Sequence, residues 1–335
     1  VIRQMDERYI DQPMLRKRLP LASIKLNSGS ENVVARMLKR YSIGCGSLAM
    51  DMTSSPTSGL NGYMRANAMT VSDILVDTAS LVIFSDSSNV SYRMQVHNNK
   101  DNPDYIFNAI VEGTLTEKGT TIKSRLYDWK DRLGLATDMS AAMEDNGVKV
   151  TFIGDGPVLG YKKFAVNKDN YLFLSEDKRV SANLKLRASD GTGLQVYTND
   201  ENADALQDIT LSVNKLDLDD IFAILPFTPN MTGILDGDFH AIQTPDELTV
   251  SSSLTVSNMI YEGCKMGDVG TEFTYMPLSN GSHSVDGIMI HNGQEIGTLS
   301  GTYASEGDGF LDATLSLAHT PLSLVNGFIP DQLFG

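Results

Sequence analysis

Cysteine is scarce: two thiols in 335 residues, Cys45 and Cys264. Two are too few for a disulfide framework, and neither stands at metal-ligand spacing from a second ligand. Long apolar runs are missing as well. The densest, Leu81-Val82-Ile83-Phe84, falls far short of the roughly 18–20 residues that cross a bilayer as a helix. Aromatic residues make up 7%, and the acids are scattered rather than paired. This ranks a carbohydrate-cleaving cleft, which needs paired carboxylates and stacking platforms, last among the readings. No G-x-S-x-G elbow occurs. The five histidines, His97, His240, His283, His291 and His319, have no serine or cysteine nucleophile in a recognised context. The stretch Gly154-Asp-Gly-Pro-Val-Leu-Gly160 lacks the Lys-Ser/Thr ending of a phosphate loop, so it reads as a turn. No catalytic residue, metal ligand or cofactor is assigned. Asp236, Asp238 and His240, at i, i+2, i+4 on a strand, could face a metal together; they read instead as a polar row flanking Gly237.

Basic residues are missing from one part of the chain. Residues 201–335 hold two, Lys215 and Lys265, against nineteen acids, a net −17, whereas residues 1–40 carry a net +5. Nucleic-acid affinity comes from Lys and Arg neutralising phosphates, so the C-terminal part is excluded from that role, and no nucleic-acid partner is expected. Arg16, Lys17 and Arg18 could touch phosphates, although a solvated charge run is the plainer reading.

Alternation dominates what is there. In Asp246–Ser257, Leu248, Val250, Leu254 and Val256 fall on one side, and Thr249, Ser251, Ser253, Thr255 and Ser257 on the other. Ile209–Val213 and Leu311–Leu317 repeat the pattern. Strands send alternate residues to opposite faces, so these strands have one apolar and one Ser/Thr face. Asp-Gly or Asn-Gly pairs at 146–147, 190–191, 236–237, 280–281, 286–287 and 292–293 suit two-residue hairpin turns. Together they predict an antiparallel meander. Asp128-Trp129-Lys130-Asp131 holds the single Trp, read as a half-buried strand residue near a turn. Helical spacing is rare: Glu31–Tyr41, with Val34, Met37, Leu38 and Tyr41 at i, i+3, i+4, i+7; Asp217–Leu225, stopped by Pro226; and Pro321–Ile329, stopped by Pro330. Three Asn-x-Ser/Thr triplets, at Asn89, Asn230 and Asn280, matter only in a eukaryotic secretory route.

The last two helices belong to an internal repeat. Asp208–Val213 aligns with Asp312–Leu317. At the same offset of 104 residues, Leu218 matches Leu322, Ile221 matches Val325, Leu225 matches Ile329 and Pro226 matches Pro330. Such repetition suggests an array grown by adding units. Three segments follow: 1–60, a basic start with a short helix; 61–204, a meander; and 205–335, two copies of strand, short helix and hairpin.

The run LDLDDIFAILPFTPNMTGILDGDFHAIQTPDELTVSSSLTVSNMIYEGCKMGDVGTEFTY resembles the AsmA-like superfamily, and within it the translocation and assembly module B (TamB) family. The likeness rests on the short helix ending in Leu-Pro, the G-x-L-x-G hairpin at Gly233–Gly237, and the strand pair broken at Tyr261-Glu-Gly263. It covers residues 205–335, with a weaker echo in 30–85. The family's N-terminal anchor is not seen, and the chain opens on Val1, so an internal fragment is expected.

The resemblance implies an all-β, elongated antiparallel repeat forming an open curved trough, a β-taco, with a few short helices. It further implies a periplasmic bridge in a Gram-negative bacterium. The parent would be anchored in the inner membrane, with an outer-membrane β-barrel partner, and phospholipid acyl chains would travel in the trough. Leu211, Val213, Val250, Leu254, Val256, Leu315 and Leu317 are the candidate lining. Their plainer reading is a dry core against a second layer. Two alternatives stay open: an assembly factor for outer-membrane or secreted proteins, and an extracellular structural or adhesive β-solenoid with a closed core.

Overall fold

The computed structural model describes residues 12–71, 74–86, 88–102, 105–144, 146–199, 205–225, 228–245, 247–278, 280–304, 310–318, 320 and 324. It is all-β, with antiparallel strands throughout and a few short helices. The chain clusters into two compact units, Val1–Lys163 and Phe164–Gly335.

Unit 1 opens with helix α1 (Gln12–Lys17), strand β1 (Ala22–Gly29) and helix α2 (Val33–Lys39). A meander follows: β2 (Ile43–Ser55), β3 (Gly59–Val71), β4 (Ile74–Ser85), β5 (Val90–His97), β6 (Asn108–Thr116), β7 (Gly119–Tyr127), β8 (Leu133–Glu144) and β9 (Gly147–Phe152), after which the short β10 (Val158–Leu159) pairs back onto β8. Strand β11 (Lys162–Val166) lies across the division in sequence. Unit 2 continues with β12 (Tyr171–Ser175), β13 (Val180–Ala188), β14 (Gly193–Thr198), β15 (Gln207–Asp217), helix α3 (Leu218–Phe222), β16 (Met231–Gln243), β17 (Leu248–Tyr261), β18 (Cys264–Pro277), β19 (His283–His291), β20 (Gln294–Ala304) and β21 (Phe310–Leu317). From β13 to β21 each strand pairs with the next in sequence.

The helices form where local capping is available. Asn32 accepts the Ala35 N–H at the start of α2, and Asp217 accepts the Asp219 N–H at the start of α3. Helix α2 has only two turns, so its inward side is Val34, Ala35 and Leu38. Met37 and Tyr41, expected on that side, are 58% and 75% exposed. Helix α3 buries Leu218, and Ile224 just after it is buried too. Pro226, and the matching positions Leu322, Val325, Ile329 and Pro330 of the second repeat copy, lie outside the described residues.

Two of the Asp-Gly pairs expected at hairpin tips are not there. Asp236-Gly237 sits in the middle of β16 and Asp286-Gly287 in the middle of β19. The expected hairpin at Gly233–Gly237 is therefore one continuous strand. The reason is cross-strand crowding. A Cβ on Gly237 would lie 2.2 Å from the Ser253 carbonyl oxygen and 2.8 Å from a Leu254 methyl, at a φ of +151°. A Cβ on Gly287 would lie 2.7 Å from the Glu272 carbonyl oxygen and 3.0 Å from the Phe273 Cβ. Glycine here makes room for a large neighbour rather than for a turn. The hairpin at Glu262-Gly263 does have both residues at positive φ, 47° and 80°, as a two-residue turn requires.

Bulges keep the faces in phase. Between Val213 and Leu216, β15 carries three steps against two on β16. Between Val256 and Met259, β17 does the same against β18. Each extra residue absorbs one step, so residues three apart in sequence stay on the same face. Lys215 and Asn258 take left-handed φ there, 52° at both. Their amides donate to carboxylates on neighbouring strands: Lys215 N–H to Asp236 Oδ1 and Asn258 N–H to Asp268 Oδ1, both 2.8 Å. Acids that look like turn flankers in sequence thus clip bulge amides.

Crowding at Gly237 is testable. Gly237→Ala should destabilise the protein by about 1–3 kcal/mol. Gly29→Ala, whose Cβ would meet nothing within 4 Å, should change stability by less than about 0.5 kcal/mol. Urea unfolding of both variants checks this, and equal effects would refute the close-approach account.

Candidate functional site

The pairing register assigns every side chain of β15–β21 to a face. One transverse row reads Val213, Gly237, Leu254, Thr271, Met289, Gly297, Leu317. The next reads Leu211, Phe239, Ser252, Phe273, Gly287, Leu299, Leu315. Val250 and Val256 occupy the same face of β17. All seven residues proposed from sequence therefore share one face. The other face carries Ser212, Asp238, His240, Ser251, Ser253, Glu272, Asp286, Ser300 and Thr314.

The apolar face is open in part. Leu211 and Leu299 are each 37% exposed, Leu315 51% and Leu317 47%, whereas Val213 is 8% exposed. The face closes locally around Met266, Ile296 and Leu324, packed with Met259, Val269 and Met289. Phe239 and Phe273 pack edge to face at 6.3 Å, and Ser252, in register between them, is buried with no partner for its hydroxyl. Burying a hydroxyl unpaired costs free energy, so apolar packing dominates here.

Sequence reasoning missed Phe239, Phe273, Met289 and Leu299. Glycines and threonines interrupt the apolar rows on β16, β18, β19 and β20, while Ile288 and Ile290 stand on the polar face, so none of these four strands shows clean alternation. Unit 1 was missed entirely, yet it has the same division. Met50, Met64, Leu81, Met94 and Val111 form one row, and Met52, Gly62, Ile83, Tyr92, Gly113, Ile122, Met139 and Phe152 the next. Met64 and Met94 are 39% and 45% exposed. Methionine's unbranched thioether adapts to irregular apolar partners. The opposite face carries the Arg93–Glu112 and Arg125–Asp138 ion pairs, at 2.8 and 2.6 Å. Val82 and Phe84 break the rule by standing exposed on that charged face.

The polar clusters are structural. Asp236, Asp238 and His240 do share a face, but Asp236 clips the Lys215 amide and His240 Nε2 lies 2.8 Å from the buried Asp208 Oδ1. His283 stacks between Tyr275 and Tyr303 and bonds the Tyr275 hydroxyl at 2.7 Å. Among the described residues no three His, Cys, Asp or Glu side chains are arranged to hold a metal. Both cysteines are free thiols. His319 lies outside the described residues.

Asp128 and Tyr161 form a coupled pair at the turn after β7. The Asp128 carboxylate accepts the Lys130 and Arg132 amides at 2.9 Å each, the Arg132 guanidinium at 2.9 Å and the Tyr161 hydroxyl at 3.0 Å. Burial raises its pKa, but these donors outweigh burial and leave it below the usual 3.8. Burial first, then Asp128, pushes Tyr161 up to about 12, so the phenol stays protonated. The cluster locks the turn at 128–131. It leaves Trp129 at the tip, 57% exposed, with the Lys130 ammonium 4.4 Å from its ring centre. Trp129 is therefore not the half-buried strand residue expected.

Comparison with protein-family models, with curated proteins and with solved structures finds no match to this chain.

Two measurements follow. A depressed folded pKa stabilises above the unfolded value and loses that contribution as pH falls through the folded value. Acidification below about pH 3.8 should therefore weaken the wild type more steeply than Asp128→Asn, and the same variant should lower the Tyr161 titration midpoint in ultraviolet absorbance. The second concerns openness. Leu315→Asp should cost less than about 1 kcal/mol, because its side chain already meets water, whereas Val213→Asp should cost several. Equal, large losses in urea unfolding would mean a closed face.

Proposed function

We propose that the chain is a non-enzymatic segment of a periplasmic bridge whose apolar sheet face carries phospholipid acyl chains between the inner and outer membranes. The observation that supports this most is the division of faces, which the register carries from β15 to β21. Across seven strands of unit 2, one face is apolar and partly open, while the other is polar and strongly acidic.

Acyl chains ask little of a surface beyond apolar area, about 0.8 kcal/mol for each methylene removed from water. At about 4.8 Å per strand, seven strands present a row about 29 Å long. One leaflet's hydrocarbon is about 15 Å deep, so a single row is longer than an acyl chain. A chain on it needs no fixed stopping point and can slide from strand to strand. The glycines at 237, 287 and 297 leave shallow steps between larger side chains. The acids of the opposite face repel anionic membrane surfaces, which favours contact through the apolar face. The resemblance of residues 205–335 to TamB-like proteins implies the proposed setting: an inner-membrane anchor and an outer-membrane β-barrel partner in the full-length protein, and a role in outer-membrane biogenesis.

The test is site-specific photo-crosslinking within the full-length parent in a Gram-negative cell. A probe at Leu254 should yield phospholipid adducts, and one at Thr255, on the opposite face, should yield none. No adduct at either position would overturn the reading and leave a closed structural β-repeat. Polypeptide adducts at Leu254 would favour assembly of outer-membrane or secreted proteins instead.

A further inference from the structure

The basic run at Arg16–Arg18 has no part in the sheet face described so far. Helix α1 nevertheless lies over one end of the apolar face of unit 1. The register places Ser85, Val90 and Leu115 in one row of that face, and the Ser85 hydroxyl joins Leu60 to it by accepting its N–H at 3.0 Å and donating to its carbonyl at 2.7 Å. Leu15 and Leu19 line, together with this row, a half-open cavity of about 270 Å³. Carbon surrounds most of the cavity, and Arg16 stands at its rim.

The guanidinium of Arg16 donates to the backbone carbonyls of Thr57 and Asp86. Those partners are neutral, and among the described residues no carboxylate forms an ion pair with it. The Asp86 carboxylate is close enough to feel the charge, but its own turn holds it, accepting the Ser88 and Asn89 amides at 2.7 Å each. At the rim Arg16 is the one cation and Asp86 the one acid among the lining residues, with Lys17 and Arg18 next in sequence and exposed. An apolar cavity edged by a guanidinium that forms no ion pair among the described residues matches one ligand chemistry: a hydrocarbon chain ending in an anion. The cavity is smaller than the roughly 300–1,000 Å³ of whole-ligand pockets, so it holds a segment of chain, not a complete lipid.

We infer that this end of unit 1 is a binding site for an anionic amphiphile, with its acyl segment under α1 against Leu60, Val90 and Leu115 and its headgroup on Arg16. The site deepens the lipid-carrying reading and rests on it for the acyl nature of the occupant. It adds selectivity: the open face accepts any acyl chain, while this end favours those with an anionic headgroup. A charge-assisted guanidinium–phosphate bond sets the expected preference at about tenfold.

The experiment is calorimetric titration of the chain with dodecyl phosphate, dodecyltrimethylammonium or inorganic phosphate, each below any micelle concentration. Dodecyl phosphate should bind about tenfold more tightly than the ammonium amphiphile, and inorganic phosphate should not compete with it. Arg16→Gln should abolish that preference, leaving the ammonium amphiphile unchanged. Arg16→Lys should keep the preference, which separates the charge from the bonds that seat α1. Leu115→Trp should fill the cavity and weaken both amphiphiles. Equal affinity for the two headgroups, an unaltered preference in Arg16→Gln, or competition by inorganic phosphate would each overturn the site. The crosslink at Leu254 tells the two readings apart. If the preference fails while Leu254 adducts persist, only this site is wrong. If neither amphiphile binds and Leu254 yields no lipid adduct, the acyl reading itself is wrong.

Discussion

Alternation of side chains across a pleated strand is the constraint on which the rest of this structure depends. A strand has two faces, and antiparallel pairing passes each face to its neighbour without loss of phase. Once Leu211 and Val213 point one way on β15, the register compels Phe239, Leu254, Met289, Leu299 and Leu317 to point the same way. A single-residue slip at any pairing would carry an apolar row to the acidic side. The two features that keep the phase are therefore as important as the rows themselves. Bulges at Lys215 and Asn258 absorb the extra residues, and Asp236 and Asp268 secure the bulge amides.

Glycine and large side chains divide the apolar face between them. Gly237 faces Leu254, Gly287 faces Phe273, and Gly113 faces Tyr92. Each glycine gives up packing of its own so that the neighbouring side chain can lie across the strand. The face that results has no layer of backbone polar groups to satisfy beyond its own ladder, and it can stay partly open to an apolar guest. Where closure is present it is local, around Ile296 in unit 2 and beneath α1 in unit 1. The charged groups act on the opposite face or at turns, where Asp128 and its four donors lock a loop.

Legibility in the sequence followed the clarity of this alternation. On β15, β17 and β21 the pattern is clean, and the residues it singled out share a face. On β16 and β18–β20 glycine and threonine replace apolar residues on that face, so Phe239, Phe273 and Leu299 were invisible to a periodicity argument. The Asp-Gly pairs misled for a related reason. The dipeptide that suits a hairpin tip is also what a mid-strand site needs when a large neighbour crowds its Cβ and an adjacent carboxylate clips a bulge. Nothing local separates the two cases at 236–237, because the deciding atoms belong to Ser253, Leu254 and Lys215.

The amino-acid sequence by itself determined the fold class, the two-faced character of the strands and the absence of a strongly basic C-terminal part. These are properties of neighbours in the chain, and local periodicity and composition carry them. Tertiary structure alone decided which row faces which, where the bulges restore the phase, and how the division of faces extends through unit 1. It also brought Arg16 to the rim of an apolar cavity built from Leu60, Val90 and Leu115. Those facts depend on pairings between residues tens of positions apart, and strand register, not local pattern, sets them.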